Sequence, residues 1–125
     1  MKLVDEGVTD GVIGAAIEVH RNLGPGLLES AYLRCLVREL DLRDIPVQTE
    51  VPLDLEYKGL VVPECYRLDL LVADRVVVEV KAVEQLLPVH EAQLLTYLRL
   101  SKRRTGLLLN FKTRLMRDGI IRRVL

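Results

Sequence analysis

The chain has 125 residues with 18 basic and 18 acidic side chains, which is enough to bury one hydrophobic core, and we expect a single domain over residues 1–125. Two cysteines are too few for a disulfide framework, and no apolar run approaches the length of a membrane span, which excludes small disulfide-stapled domains and membrane-spanning proteins. The first six residues lack the apolar core of a signal peptide, so the sequence predicts a cytoplasmic protein.

The first third of the chain is predicted to fold as two helices. Thr9 or Asp10 can cap the first helix, whose apolar residues recur at helical spacing until Gly24 ends it. The Gly24-Pro25-Gly26 turn then leads to a second helix, from Leu27 to about Leu40. Both helices carry one apolar stripe, so each is expected to pack against the rest of the domain through one face.

The middle of the chain alternates apolar and polar residues, as half-buried β-strands do. An antiparallel meander is predicted, with strands from Val47 to Tyr57, from about Leu60 to Val72 and from Val76 to Val83. A Lys58-Gly59 turn and the three-residue loop Ala73-Asp74-Arg75 connect these strands.

The last part of the chain is predicted to add a helix and further strands. Pro88 suits the first turn of a third helix, which runs to about Leu100. A buried strand is predicted from Thr105 to Phe111, and Leu115 to Arg117 and Ile120 to Val124 are predicted to flank a turn at Asp118-Gly119. The predicted order is therefore α-α-β-β-β-α-β-β.

Basic residues are concentrated at the C-terminal end, although the net charge is zero. Residues 99–125 hold nine basic side chains against one acid, and residues 1–98 therefore carry the compensating negative charge. If the basic residues share a face they can bind a phosphate backbone, but such residues also serve solubility at helix ends and edge strands. The set is Arg99, Lys102, Arg103, Arg104, Lys112, Arg114, Arg117, Arg122 and Arg123.

The third strand carries two opposite charges in an otherwise apolar run. Glu79 and Lys81 lie two residues apart, so they project from one face of the strand. A three-residue loop that pairs Val72 with Val76 places Asp69 of the preceding strand opposite Glu79. The sequence thus predicts two carboxylates and an ammonium group at one place on the sheet.

Two carboxylates beside a lysine form the hard, oxygen-rich site that Mg²⁺ or Mn²⁺ prefers. The lysine can stabilise a pentacovalent phosphate or help to deprotonate an attacking water, which are the requirements of phosphodiester hydrolysis. A structural ion pair between Glu79 and Lys81 is the alternative, because an acid two residues before a lysine is a weak motif.

Several motifs in order, from about Val8 to Arg123, carry a further pattern. They are Ile17-Glu18-Val19-His20, Leu23-Gly24-Pro25, the Gly-x-x-Glu-x-x-Tyr segment from Gly26 to Tyr32, the segment from Leu86 to Leu94, and the segment from Leu107 to Phe111. With these motifs the chain resembles the GxxExxY proteins of the PD-(D/E)XK nuclease-like superfamily. The resemblance implies an α/β restriction-endonuclease-like core, α-β-β-β-α-β, here with an extra N-terminal helix and a C-terminal strand.

The resemblance also implies which residues are catalytic. Asp69 and Glu79 match the two acids of the superfamily signature, and Lys81 matches its lysine. Leu68 stands where the signature has a proline, but that proline binds no ligand. Glu29 matches the acid of the helix, although a carboxylate in a first helical turn is also favoured by the helix dipole alone. The implied metal ligands are Asp69, Glu79, the backbone carbonyl of Val80 and, through water or at a second position, Glu29.

Further residues are expected to support this site. Gln93 and Tyr97, one turn apart on the third helix, fit the place where the superfamily supplies a polar residue. Tyr32 is expected to pack in the core with its hydroxyl directed at the acids. Arg103 and Arg104 are expected to lie at the mouth of the site and bind the phosphate backbone.

The function predicted from the sequence is Mg²⁺-dependent hydrolysis of phosphodiester bonds in nucleic acid, with DNA as the expected substrate. One alternative is a non-catalytic domain on the same fold that binds nucleic acid or protein, because a fold alone does not determine function. Another is a metal-dependent hydrolase of a small phosphorylated substrate. Endonuclease or exonuclease action, and a homodimer or a partner protein, are left open.

Overall fold

The computed structural model describes residues 4–125; the first three residues, part of the segment expected to lack a signal-peptide core, lie outside the described residues. The elements are α1 (Glu6–Leu23), α2 (Glu29–Leu42), β1 (Val47–Tyr57), β2 (Leu60–Val72), β3 (Val76–Lys81), α3 (Pro88–Ser101), β4 (Thr105–Asn110), a 3₁₀ turn (Met116–Gly119) and β5 (Ile120–Val124). The predicted succession of helices and sheet strands is confirmed. Over residues 4–125 no helix is both long and apolar enough to cross a membrane.

The five strands form one mixed sheet in the order β1-β2-β3-β4-β5. Neighbouring strands are antiparallel except β3 and β4, which are parallel because α3 returns the chain between them. Helices α1 and α2 cover one face of the sheet, and α3 covers the other. Strands β3 and β4 are buried on both faces, which explains their nearly continuous apolar sequence.

The first helix begins earlier than the sequence predicted. Thr9 and Asp10 lie inside α1, and the Thr9 hydroxyl donates to the Glu6 carbonyl within the helix at 3.1 Å. The residue before the helix is Asp5, whose carboxylate accepts from Arg75 and Thr105 at the sheet. The predicted cap at Thr9 or Asp10 is therefore wrong, because tertiary contacts of Asp5 set where the helix starts.

The turn predicted at Asp118-Gly119 begins earlier than expected, at Met116. The chain forms a 3₁₀ turn there, with Met116 buried in the core beneath α1 and α2. Gly119 lies so close to the Asn110 carbonyl that a side chain at this position would collide with it. This packing folds the segment back along β4, so that β5 pairs with β4 and not with residues 115–117.

Candidate active site

The β2–β3 hairpin determines which residues meet at the site. Val72 pairs with Val76 across the three-residue loop, as predicted, and the ladder ends where Leu70 pairs with Val78. Ala73 in the loop has a positive φ of 52°, and the next residue has the same handedness, which matches the twist of a tight hairpin. This register places Asp69 and Glu79 opposite each other just beyond the ladder.

Beyond the ladder, side-chain carboxylates take the place of backbone pairing. The Asp69 N–H donates to Glu79 Oε2 at 3.2 Å, and the Val80 N–H donates to Asp69 Oδ2 at 2.8 Å. Each carboxylate therefore bridges from its own strand to the backbone of the other. The reciprocal bonds hold the two acids together in the gap between β2 and β3.

The alternation of faces along β2 is broken at Asp69. Leu68 and Leu71 both belong to the core beneath α3, whereas Leu70 belongs to the core beneath α1 and α2. Regular alternation would place residues three apart on opposite faces. Asp69 thus lies at an irregularity that turns its carboxylate toward β3.

Glu79 is almost completely buried, with 4% of its surface exposed. Its pKa is raised to about 9, first because burial disfavours the charged form and second because the Asp69 carboxylate lies beside it. The Asp69 N–H and the positive charge of Lys81 oppose this increase only in part. At neutral pH Glu79 therefore holds a proton, because burial and the neighbouring Asp69 carboxylate both disfavour its charged form.

Lys81 ends β3 on the same face as Glu79 and is half-buried. No salt bridge among residues 4–125 joins it to Glu79, so the structural ion pair considered from the sequence is not formed. Its carbonyl accepts from the Phe111 N–H at 2.9 Å, which fixes the backbone toward β4. The ammonium group is thus held near the acids without being neutralised by them.

The backbone of Val80 faces the acids as well. In a strand the N–H and C=O of one residue point to the same side, and the Val80 N–H points to Asp69. Its carbonyl is therefore directed into the gap between β2 and β3, where the two carboxylates lie. This orientation suits the expected ligand role of the Val80 carbonyl.

Tyr97 of α3 covers the acidic pair. It is 8% exposed, and the pKa of its hydroxyl is raised by burial and then by the charges of Glu79 and Asp69. Its ring lies against Tyr66, with centroids 5.7 Å apart. Tyr66 was missed from the sequence, because its offset of three residues from Asp69 gives no sign of a shared face until the irregularity of β2 is known.

A family model described as the PD-(D/E)XK nuclease superfamily matches residues 6–124. The chain belongs to this superfamily. The five-stranded mixed sheet with helices on both faces agrees with the restriction-endonuclease-like fold of its members. Searches among curated proteins and among solved structures find no match.

Glu29, the expected helix acid of the superfamily signature, is not brought to the pair. It begins α2, which packs on the opposite face of the sheet from α3, and its side chain is exposed. In residues 4–125 no group of three or more acidic, histidine or cysteine side chains lies close enough to hold a metal ion. The first turn of a helix favours a carboxylate, which accounts for its place in this structure.

Tyr32 is fully buried and stacks on Phe111 with ring centroids 4.6 Å apart. Its hydroxyl donates to the Gly24 carbonyl and accepts from the Leu27 N–H at 3.0 Å. The expected packing is present, but the hydroxyl serves the turn between α1 and α2 and is not directed at the acids. The Gly-x-x-Glu-x-x-Tyr motif thus places a tyrosine that fixes this turn.

The expected basic mouth is not formed by Arg103 and Arg104. Arg103 donates to the Asp74 carboxylate at 2.7 Å and to the Asp74 carbonyl at 2.9 Å, in the loop at the far end of β3 from Lys81. The Arg104 carbonyl accepts from the chain's last residue at that same end. Both arginines lie away from the acids because α3 ends, and β4 begins, beside Val76.

Gln93 precedes Tyr97 by one helical turn, as predicted, and is exposed. None of the hydrogen bonds in residues 4–125 joins its amide to Asp69 or Glu79. His20 is buried and bonded through Nε2 to the Thr113 carbonyl at 2.8 Å, so it joins α1 to the loop after β4 and lies away from the acids.

The donor set fits a magnesium ion. Mg²⁺ is commonly held by one or two carboxylates and keeps several of its waters, so it does not require a cage of protein ligands. Asp69 and Glu79 offer two carboxylates, and the Val80 carbonyl points into the same gap. Burial beside Asp69 raises the pKa of Glu79, so its charged form is not stabilised by the protein alone. A divalent cation bound between them would favour the charged form of both carboxylates.

Proposed function

We propose that this chain is a GxxExxY member of the superfamily and a nuclease that hydrolyses phosphodiester bonds with Mg²⁺, or Mn²⁺ in its place, and with DNA as its substrate. The observation that carries the proposal is the reciprocal bridge between Asp69 and Glu79. Two acids are held in contact at a site where one must stay protonated, beside a lysine that neither of them pairs with.

The residues that would hold the ion are Asp69, Glu79 and the carbonyl of Val80. When bound, a divalent cation supplies positive charge that polarises a phosphate oxygen and makes a bound water more acidic. The site favours an added cation, because Asp69 lies beside the buried Glu79 carboxyl and two anions so close together are disfavoured.

Lys81 and Tyr97 are proposed to act on the substrate side. The Lys81 ammonium faces the attacking water and stabilises the negative charge that develops on the phosphate. Tyr97 closes the gap from above, limits the access of bulk water, and directs a hydroxyl at the acids. Gln93 is exposed one turn before Tyr97 on α3, where it can contact a bound nucleic-acid strand.

A non-catalytic binding domain is the second candidate. One observation favours it: each carboxylate already has a backbone N–H as its partner, so the pair is stable without a ligand. Such a domain keeps the fold and binds nucleic acid or protein without cleaving it.

The test is Mg²⁺-dependent cleavage of single-stranded and double-stranded DNA and RNA by the wild type and two variants. Asp69→Asn keeps the acceptor for the Val80 N–H but removes an anionic ligand, and we expect it to lose both cation binding and cleavage. Lys81→Ala is expected to keep cation binding and lose turnover. Glu56→Gln, on exposed β1, is the matched control and should cleave as the wild type does.

If a wild type that has bound Mg²⁺ cleaves none of these polymers, the nuclease proposal fails and the binding domain is left. Release of phosphate from a nucleoside monophosphate or p-nitrophenyl phosphate, without cleavage of any polymer, would instead indicate a hydrolase of small phosphorylated substrates. Cleavage by Asp69→Asn at the wild-type rate would also overturn the proposal.

A further inference from the structure

A cleft with a volume of about 630 Å³ lies between the C-terminal end of α1 and the loop that follows β4. Its apolar lining includes Ile17, Leu115 and Met116, and three arginines, Arg21, Arg114 and Arg117, line it as well. A volume of this size is usual for small-molecule sites. The cleft therefore combines apolar surface with several cationic groups.

The cleft lies beyond the C-terminal ends of β3 and β4, where Lys81 also lies. Strands β3 and β4 are parallel, so they end together, with Lys81 paired to Asn110. The chain continues from Asn110 into the loop that carries Arg114 and Arg117. The acids lie on the α3 side of this edge, and the cleft lies on the α1 side.

The segment that carries the arginines is held in place by hydrogen bonds. The Asn110 amide bonds both the N–H and the carbonyl of Val83, at 3.0 and 2.9 Å, and so ties the end of β4 to the segment after β3. The Thr113 hydroxyl lies within hydrogen-bond distance of the Asn110 and Leu115 carbonyls, and the His20 ring anchors Thr113 to α1. The two arginines are thus presented by a preorganised segment.

Arg114 and Arg117 differ from three of the other basic residues near the C-terminus. Arg103, Lys112 and Arg123 each form a salt bridge with an acid. Among residues 4–125, Arg114 and Arg117 form neither a salt bridge nor a side-chain hydrogen bond, and no acid lines the cleft. Two arginines without an acidic partner favour the binding of an anion. The apolar lining favours a ligand that also has an apolar part.

We propose that this cleft binds one nucleotide of a nucleic-acid strand, with the phosphate on Arg114 and Arg117 and the base and sugar against Ile17, Leu115 and Met116. The inference rests on the proposed function, since the strand is the one whose phosphodiester is cleaved beside Lys81. Arginine guanidinium groups bind phosphate oxygens in pairs of parallel hydrogen bonds, which suits this use of two arginines.

The test compares the wild type with one double variant, which carries both Arg114→Gln and Arg117→Gln. EDTA is present so that no DNA strand is cleaved. Binding of a fluorescent single-stranded DNA oligonucleotide is measured by anisotropy at several salt concentrations. We expect binding to weaken about 10- to 100-fold and the slope of log affinity against log salt to fall by about one to two. Arg34→Gln with Arg38→Gln, both exposed on α2, removes the same charge and should change binding less than about twofold.

A second arm uses deoxyadenosine 5′-monophosphate and inorganic phosphate as separate probes. The nucleotide is expected to bind more tightly than phosphate, and Leu115→Asn should reduce this preference while leaving phosphate binding unchanged. Equal binding of the two probes, or equal binding of oligonucleotide by the double variant and the wild type, would overturn the inference. So would a wild type that binds neither the nucleotide nor the oligonucleotide.

The two proposals can fail separately. If cleavage depends on Asp69 but DNA binding does not depend on Arg114 and Arg117, the proposed nuclease activity stands and the proposed nucleotide site in the cleft is wrong. If nucleotide binding depends on these arginines but the protein cleaves no nucleic acid with Mg²⁺, the proposed nucleotide site stands and the proposed nuclease activity is wrong.

Discussion

Acidic side chains are paired with cations at one end of β3 and are not paired with cations at the other end. At the Val76 end, the loop acid Asp74 pairs with Arg103, and Asp5 pairs with Arg75, so that each carboxylate has a cation. At the Lys81 end, two carboxylates contact each other and no salt bridge includes them over residues 4–125. Charged side chains that only connect structural elements are paired with an opposite charge, whereas the pair of acids without a salt bridge marks the place where chemistry is expected.

The largest difference between the two ends should appear on removing their cations. Lys81→Ala should lower the rate of DNA cleavage by at least about 100-fold while leaving the affinity for Mn²⁺ unchanged, because the lysine acts on the phosphate and water. Arg75→Ala, at the other end of β3, should leave the rate unchanged. Cleavage rates at saturating Mg²⁺ and Mn²⁺ titrations measure both effects, and a parallel loss of rate in the two variants would remove the contrast.

The next largest effect concerns pH. Since the folded-state pKa of Glu79 is raised to about 9, the folded chain binds more protons than the unfolded chain between about pH 4.5 and 9. The stability that Glu79 contributes is present in acid and is lost as the pH rises through this range. The melting temperature of the metal-free protein should therefore fall between pH 5 and pH 9.

Glu79→Gln should flatten that fall and raise the melting temperature at pH 8 by at least about 3 °C, because the amide stays neutral. Glu56→Gln, exposed on β1, serves as the control and should leave the pH dependence unchanged. Thermal unfolding in EDTA at several pH values measures the effect. A wild type that becomes more stable toward pH 9 would contradict the burial of a protonated carboxyl.

A smaller effect is expected at Glu29, which lies outside the gap between β2 and β3. Glu29→Gln should weaken Mn²⁺ binding by no more than about threefold, or about 0.6 kcal/mol, whereas Asp69→Asn should abolish it. Titration calorimetry of both variants makes the comparison. Loss of binding in Glu29→Gln equal to that in Asp69→Asn would mean that α2 moves to the acids when the ion binds.

The smallest effect is expected from the paired arginines at the Val76 end. Arg103→Ala with Arg104→Ala should leave the salt dependence of DNA binding unchanged, since Arg103 is used by Asp74. Loss of this partly exposed pair should lower stability by no more than about 1 kcal/mol. If the double variant binds DNA more weakly with a smaller salt slope, these arginines contact phosphate after all.

The hairpin shows how much of the site could be predicted from the sequence. The alternation of apolar residues and the length of the Ala73-Asp74-Arg75 loop predicted that Val72 pairs with Val76, and this pairing brought Asp69 and Glu79 together. Such a prediction succeeds because strand faces and loop length are local properties. The order of the elements could be predicted for the same reason.

Other parts of the site depend on contacts between distant segments. The partner of Arg103 and the packing of Tyr97 against Tyr66 are set by tertiary contacts, which leave no periodic signal in the sequence. The break in alternation at Asp69 is likewise visible only in the two cores. The exposed position of Glu29 follows from α2 packing on the face away from α3.

The central claim is that buried Glu79 and half-buried Asp69 form a pair of acids that lacks one positive charge. Its most direct test is titration calorimetry of Mn²⁺ at pH 7 in two buffers of different ionisation enthalpy, with the wild type and Asp69→Asn. The account predicts one binding site in the wild type with release of up to about one proton per ion, because Glu79 is protonated beforehand, and no binding in Asp69→Asn. Binding without proton release, or equal binding by the variant, would contradict it.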